Sequence, residues 1–139
     1  MIIVIRISGL VEVPRNIQET LYRLRLRRKY SAVLLQPSAS SFKLLKKMRN
    51  FVAYGDLNKE TLLLLLEKRA QLINKKKKID VEKIITEMEK KSLQDLGLKP
   101  FFRLHPPRGG IDSKLHFPIR KGVLGDNKVE INDLVRRML

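Results

Sequence analysis

The sequence contains no cysteine, which excludes disulfides and every thiolate metal site. Its 2 histidines are too few for an all-histidine zinc site. Aromatic residues make up 6% of the chain, with no tryptophan, so a platform for stacking successive single-stranded bases is hard to assemble. No apolar run is long. "MIIVI" runs straight into Arg6, and the leucines from Leu62 to Leu66 fall well short of the ~20 residues that a membrane span takes. Acids are scarce too: 14 Asp and Glu face 30 Lys and Arg, a formal net charge of +16 over 139 residues. That excess is far beyond what solubility requires and asks for a polyanionic partner, nucleic acid first. With 43% apolar residues the chain can build a core, so the charge rides on a folded body and not on a disordered tail. The expectation is a soluble, cytoplasmic protein with no cofactor, metal, small-molecule substrate or membrane attachment.

What is present begins with "IIVIRI", residues 2 to 7, β-branched apart from one arginine and stopped by Ser8-Gly9, a strand signal. Pro14 opens a helix whose Ile17, Leu21 and Leu24 recur at i, i+4 and i+7. "SAVLLQ" at 31 to 36 is a second strand stopped by Pro37, and Ser38 to Asn50 a second helix capped by an early serine. At about 100° per residue, Phe42, Leu44, Leu45 and Met48 fill one side of that helix and Lys43, Lys46 and Lys47 the other. "FVAYG" at 51 to 55 is a third strand. Residues 1–55 thus read as a strand-helix-strand-helix-strand core, with Phe42 and Phe51 inside it, and 56–139 as an extension.

In the extension, Asn58 caps a helix through Arg69, and Leu62 to Leu66 make it apolar on every side, which predicts burial between two layers. Asn74 to Lys78 is a charge run that reads as a solvated linker. Asp80 caps a helix bearing Val81, Ile84, Ile85 and Met88, "FFRLH" looks like a strand, and a last helix at about 130 to 138 turns Ile131, Leu134, Val135 and Met138 inward.

The cations are not spread evenly. Arg23, Arg25, Arg27, Arg28 and Lys29 crowd the end of the first helix. One or two would complement the negative end of its dipole, worth about 0.3–1 kcal/mol each; five suggest more. The lysine face of the second helix, with Arg49 at its end, could be an ordinary solvated face. Such a face also carries acids, however, and none occurs from Gln36 through Tyr54. Then comes "RLHPPRGG", Arg103 to Gly110. Pro106 and Pro107 end a strand stiffly, while Gly109 and Gly110 open backbone angles closed to other residues and let a bulky ligand approach the main chain. Arg108 between them can fork onto phosphate oxygens from a rigid loop. Taken alone the stretch is a tight turn with an incidental arginine. Arg103, His105, Lys114, His116, Arg120 and Lys121 around it, in a region poor in acids, tip the balance toward binding.

"RLHPPRGG", followed by "HFP", "GDN" and "INDLVRRML", resembles the C-terminal half of archaeal and eukaryotic forms of the large-subunit ribosomal protein numbered thirty. "IRISG", "LYRLRL", "SAVLL" and "FVAYG" are similar to that family's shared core, so the resemblance spans nearly the whole chain. The chain lacks the basic N-terminal extension of eukaryotic members and exceeds the bacterial form, which points to the archaeal version. The resemblance implies an α+β fold related to the ferredoxin-like one: a three-stranded sheet with the first strand central, two helices on one face, and a helical and strand-loop C-terminal extension. It implies a structural, non-enzymatic constituent of the large ribosomal subunit. Such a protein binds ribosomal RNA and neighbouring ribosomal proteins in the cytoplasm, stabilising the RNA during assembly and translation. The basic ends of the first two helices and the loop around Arg108, Gly109 and Gly110 are the parts expected to meet RNA.

The mechanism expected is phosphate neutralisation by charges that the fold holds in place. An alternative from another class is a metal-free ribonuclease with His105 and His116 as base and acid. No carboxylate is obviously placed to orient either ring, and no phosphate-loop or nucleophile-elbow motif is present. A regulatory RNA or DNA binder outside the ribosome is a third reading.

Overall fold

The computed structural model describes residues 1–11, 13–76, 78, 80–111, 113–117, 119 and 122–139, with the backbone alone for 113–116. Among these residues six strands and five helices follow one another: β1 (Ile2–Arg6), α1 (Arg15–Arg23), β2 (Ser31–Leu35), α2 (Ala39–Met48), β3 (Val52–Asp56), α3 (Lys59–Arg69), α4 (Val81–Glu87), β4 (Phe102–Arg103), β5 (Ser113–His116), β6 (Gly122–Asp126) and α5 (Ile131–Met138). A 3-10 turn at Lys128–Glu130 leads into α5.

β1 is buried along its whole length, as a strand covered on both faces must be. It is flanked antiparallel by β2 (Ile2↔Leu35, Ile5↔Ala32) and by β3 (Ile2↔Asp56, Arg6↔Val52). The central position expected for the first strand is therefore observed, and the sheet is mixed α+β. It then grows beyond the three core strands, in the order β4-β2-β1-β3-β6-β5. β4 pairs antiparallel with β2, and β6 pairs parallel with β3.

Side chains alternate between two cores. Ile2, Val4, Val33, Val52 and Tyr54 face α1 and α2 and pack with Ile17, Leu21, Leu45 and Met48. Ile3, Ile5, Ile7 and Ala53 face the other way, against Leu62, Leu65 and Leu66 of α3, Ile84 of α4, and Ile131, Leu134, Val135 and Met138 of α5. All four α5 residues expected to point inward are buried.

Four expectations need correction. Phe42 is 44% exposed, because the buried arc of α2 is centred between Leu45 and Met48 and Phe42 lies about 90° from that centre. Leu44 and Phe51 are half-buried against the core rather than inside it. α3 is not sandwiched between two layers: it shares one outer layer with α4 and α5, so Leu63 and Leu64 on its flanks are only half-buried. Asn58 stands at the N-cap of α3 but forms no side-chain cap; its N–H donates to Asn132 Oδ1 at 2.9 Å instead. Asn132, buried, also donates to the carbonyls of Asp56 at 3.0 Å and Val129 at 2.6 Å, fastening α5 to the exit of β3. Ser38 caps α2 as expected, accepting from Ser41 N–H at 3.2 Å, and Asp80 caps α4 by accepting from Lys83 N–H at 3.5 Å.

Candidate nucleic-acid interface

Antiparallel pairing decides where the cations fall. The exit of β1, the entries of β2 and β3 and the exit of β4 all lie at one end of the sheet, since Arg6 pairs with Val52 and Ser31 with Arg103. The loop from Leu24 to Tyr30, the last turn of α2 with Arg49, and the segment from Arg103 onward adjoin that end. Asp56, opposite Ile2, closes β3 at the other end, about 14 Å away along β1 by strand rise, and Asp126 closes β6 level with Tyr54, two residues short of it. No acidic residue occurs from Leu21 to Gly55 or from Leu96 to Ile111.

The loop after α1 is held by its main chain. Arg25 and Tyr30 take left-handed φ of 65° and 64°, a geometry costly for residues with a Cβ. The surrounding bonds impose it: Leu26 N–H donates to Leu21 O at 2.9 Å, Tyr30 N–H to Arg6 O at 2.7 Å and Leu104 N–H to Tyr30 O at 3.1 Å. Beneath the loop lies Arg6, only 3% exposed. Its Nη1 donates to the Leu26 carbonyl at 2.7 Å, its Nε to Ser8 O at 2.9 Å and its Nη2 to Gly9 O at 3.0 Å. Burial pushes its pKa down, though a guanidinium stays charged at neutral pH.

Above this support, Arg25, Arg27, Arg28 and Arg103 converge with Ser31 and Phe101 around a cleft of about 210 Å³. Arg27 lies 4.2 Å from the centre of the Tyr22 ring, and Arg103 5.8 Å from that of Phe101, so aromatic faces hold two of the four guanidinia. Among the described residues, ion pairs engage Arg15, Lys83, Lys91 and Arg136; the four cleft arginines take part in none. Among the described residues no carboxylate competes with an external anion for their donors.

The other expected residues are distributed as follows. Arg23 ends α1 and Lys29 lies 5.1 Å from the Tyr30 ring; neither lines the cleft. Lys43, Lys46, Lys47 and Arg49 are exposed on α2 and its end, away from the cleft lining. The "PPRGG" loop is a tight turn closed by Gly110 N–H to Pro107 O at 3.0 Å, with Gly109 at φ 81° in the position where a type II turn needs glycine. It is fastened to the end of α5: His105 N–H donates to Met138 O at 2.9 Å, Arg108 N–H to Arg137 O at 3.0 Å, and Arg137 Nη1 to Gly110 O at 3.3 Å. Arg108 and His105 are exposed on this fixed loop. The side chains of Lys114 and His116, and Arg120 and Lys121 altogether, lie outside the described residues.

Sequence reading missed Arg6, Phe101, Ser31 and Arg137. Only Arg6 left a signal, a single charge within an otherwise aliphatic strand. Among the described residues no helix is long and apolar enough to cross a membrane, and no three His, Cys, Asp or Glu stand together as metal ligands.

Residues 2–52, which include β1, α1, β2 and α2, match the family model described as Ribosomal protein L30p/L7e. Over almost its full length the chain is similar to proteins called Large ribosomal subunit protein uL30. The one from Archaeoglobus fulgidus is 41% identical over 99% of both chains. That from Pyrobaculum islandicum is 35% identical over 98% of this chain and 92% of its own, and that from Aeropyrum pernix 36% over 98% and 97%. A sheet with β1 central, two helices on one face, and this extent of identity lead to one conclusion: the chain belongs to the archaeal-type uL30 family of large-subunit ribosomal proteins, a structural and not an enzymatic family.

Proposed function

We propose that the arginine-lined end of the sheet seats folded ribosomal RNA of the large subunit and steadies it during assembly and translation, in the cytoplasm and beside neighbouring ribosomal proteins. The observation that carries this reading is the convergence of Arg25, Arg27, Arg28 and Arg103 on one cleft with no carboxylate among them. Fixed guanidinia bind phosphate with little further loss of freedom and release its counterions. Lys43, Lys46, Lys47 and Arg49 on α2, and Arg108 on its fastened turn, extend the cationic surface as phosphate contacts that position the RNA without reading its sequence.

Filter binding of the full chain to large-subunit ribosomal RNA across about 50–200 mM salt tests the reading. If roughly 8 phosphates are neutralised, the logarithm of affinity falls against the logarithm of salt with a slope of about −6 to −7. A flat response removes the electrostatic account. The ribonuclease alternative gains no support: the relatives are named as ribosomal proteins, and His105 is exposed, tied through its main chain to Met138 O. RNA recovered intact from the same incubations is the expected result.

A further inference from the structure

We propose that the cleft between the loop after α1 and β4 receives a single unstacked nucleotide of the bound RNA, its phosphate in the guanidinium forks and its base against Phe101. This rests on the cationic end being the RNA-binding surface and adds what kind of RNA feature that surface selects.

Size and chemistry both point this way. At about 210 Å³ the cleft has room for roughly seven waters at about 30 Å³ each and falls below the ~300–1,000 Å³ of pockets for drug-sized ligands. It suits one flat ring with its phosphate at the arginine rim, and not a stack of bases. A site meant only for the backbone of a duplex needs cations and no more. This cleft differs in placing the half-buried Phe101 and the buried Ser31 among four arginines. A phosphate has no use for an aromatic face, whereas an unstacked base seeks one and also stacks on guanidinium planes.

The cleft is also prepared in advance. Arg27 is held over Tyr22 and Arg103 over Phe101, and the carbonyl of Leu26, between Arg25 and Arg27, is anchored by Arg6. A nucleotide entering the cleft therefore finds planes and forks with much of their freedom already lost.

The test uses the full chain and two RNA hairpins with equal numbers of nucleotides, one fully paired and one carrying an unpaired adenosine bulge. A fluorescent adenine analogue in the bulge reports stacking. The wild-type protein is expected to bind the bulged hairpin about tenfold more tightly, the scale of one base–aromatic stack, with quenched analogue emission. In Phe101→Leu, which keeps apolar volume without a ring face, the ratio of the two affinities falls toward one. Thermal unfolding verifies that this variant is folded. Arg103→Lys, at an exposed position, keeps the charge and removes the plane, and lowers the same ratio severalfold.

Equal wild-type affinity for both hairpins, still steeply salt-dependent, overturns the nucleotide cleft and leaves the cationic surface standing. Absence of salt-dependent binding to either hairpin or to ribosomal RNA overturns both. Adenosine monophosphate displacing the bulged hairpin at micromolar concentration also overturns the proposal, since the cleft would then serve a free nucleotide.

Discussion

Arg6 is the only charged side chain buried among the described residues, and all three of its acceptors are main-chain carbonyls. Two replacements separate the roles of its charge and its shape. Arg6→Met removes the donors together with the cost of burying a cation, several kcal/mol in effective terms. The bonds to Ser8 and Gly9 are only partly buried, so water can take their place. The bond to Leu26 is buried, and its orphaned carbonyl costs about 1–3 kcal/mol. Arg6→Lys keeps a buried cation but replaces the planar fork with one ammonium that cannot span three acceptors. It loses about two charge-assisted bonds, roughly 3–6 kcal/mol. The conservative replacement is therefore the more damaging one. At about 4 °C per kcal/mol for a domain of this size, calorimetry should show a fall in Tm of about 4–12 °C for Met and about 12–24 °C for Lys.

RNA affinity should follow a different order. Leu26 lies between Arg25 and Arg27, so either replacement loosens the main chain that carries both side chains. Reordering them at about 0.5–1.5 kcal/mol each weakens binding by about tenfold or more. Arg6→Lys matching the wild type in both Tm and affinity refutes the fork geometry. Arg6→Met binding RNA at wild-type strength refutes the coupling between the buried arginine and the cleft.

Three further perturbations probe the frame that carries the site. At Gly55 an added Cβ would meet the Lys128 carbonyl and come within 2.8 Å of Ile131 Cγ2, so Gly55→Ala should cost about 1–3 kcal/mol by overpacking. The change should show in chemical denaturation as a lower midpoint at unchanged m. Leu65→Ala, at a residue with no exposed surface, should cost about 2–5 kcal/mol, and Leu64→Ala, half-buried on the flank of α3, less than half as much; equal losses would mean that α3 faces the sheet differently. The phenol of Tyr54 is pushed above its ordinary pKa of 10.0 by burial and then by Asp126, against the opposing Arg49. The unfolded chain therefore loses that proton first, and stability present below pH 10 declines as pH rises through the folded value. Tyr54→Phe should flatten the alkaline part of a Tm-against-pH profile.

Local pattern made much of the fold legible. The β-branched run of β1, the serine cap of α2 and the i, i+3, i+4, i+7 spacing of α5 each depend on neighbours in sequence, and each was readable. β6 was not. "GVLGD" is short, carries two glycines and shows no alternation, and it becomes a strand because β3 offers it a parallel edge through Ala53↔Gly125 and Tyr54↔Asp126. The same limit hid the cleft. Arg25, Arg27 and Arg28 stood out as a cluster, but Phe101 and Arg103 join them only through the pairing of Ser31 with Arg103, and no spacing in the chain encodes that register. Phe42 shows the opposite failure, an apolar residue assigned inward by a wheel that cannot say how wide the buried arc is.

The polarity of the molecule nevertheless follows from the order of charges along the chain once the strand directions are known. Cations flank the exit of β4 and the entries of β2 and β3, and acids flank the exits of β3 and β6. Because β1 runs antiparallel to both β2 and β3, and β4 antiparallel to β2, those cationic flanks meet at one end; because β6 runs parallel to β3, its exit leads away from that end and Asp126 stands level with Tyr54. Reversing β4 alone would place its exit at the far end of β2 and leave Arg25, Arg27 and Arg28 without Arg103. The two-residue β4 strand, weak as a sheet element, is thus what closes the cleft: its register brings an arginine and a phenylalanine from the extension to a loop of the core. Disrupting the Ser31–Arg103 register should separate loss of RNA binding from loss of fold more cleanly than any change within the cores.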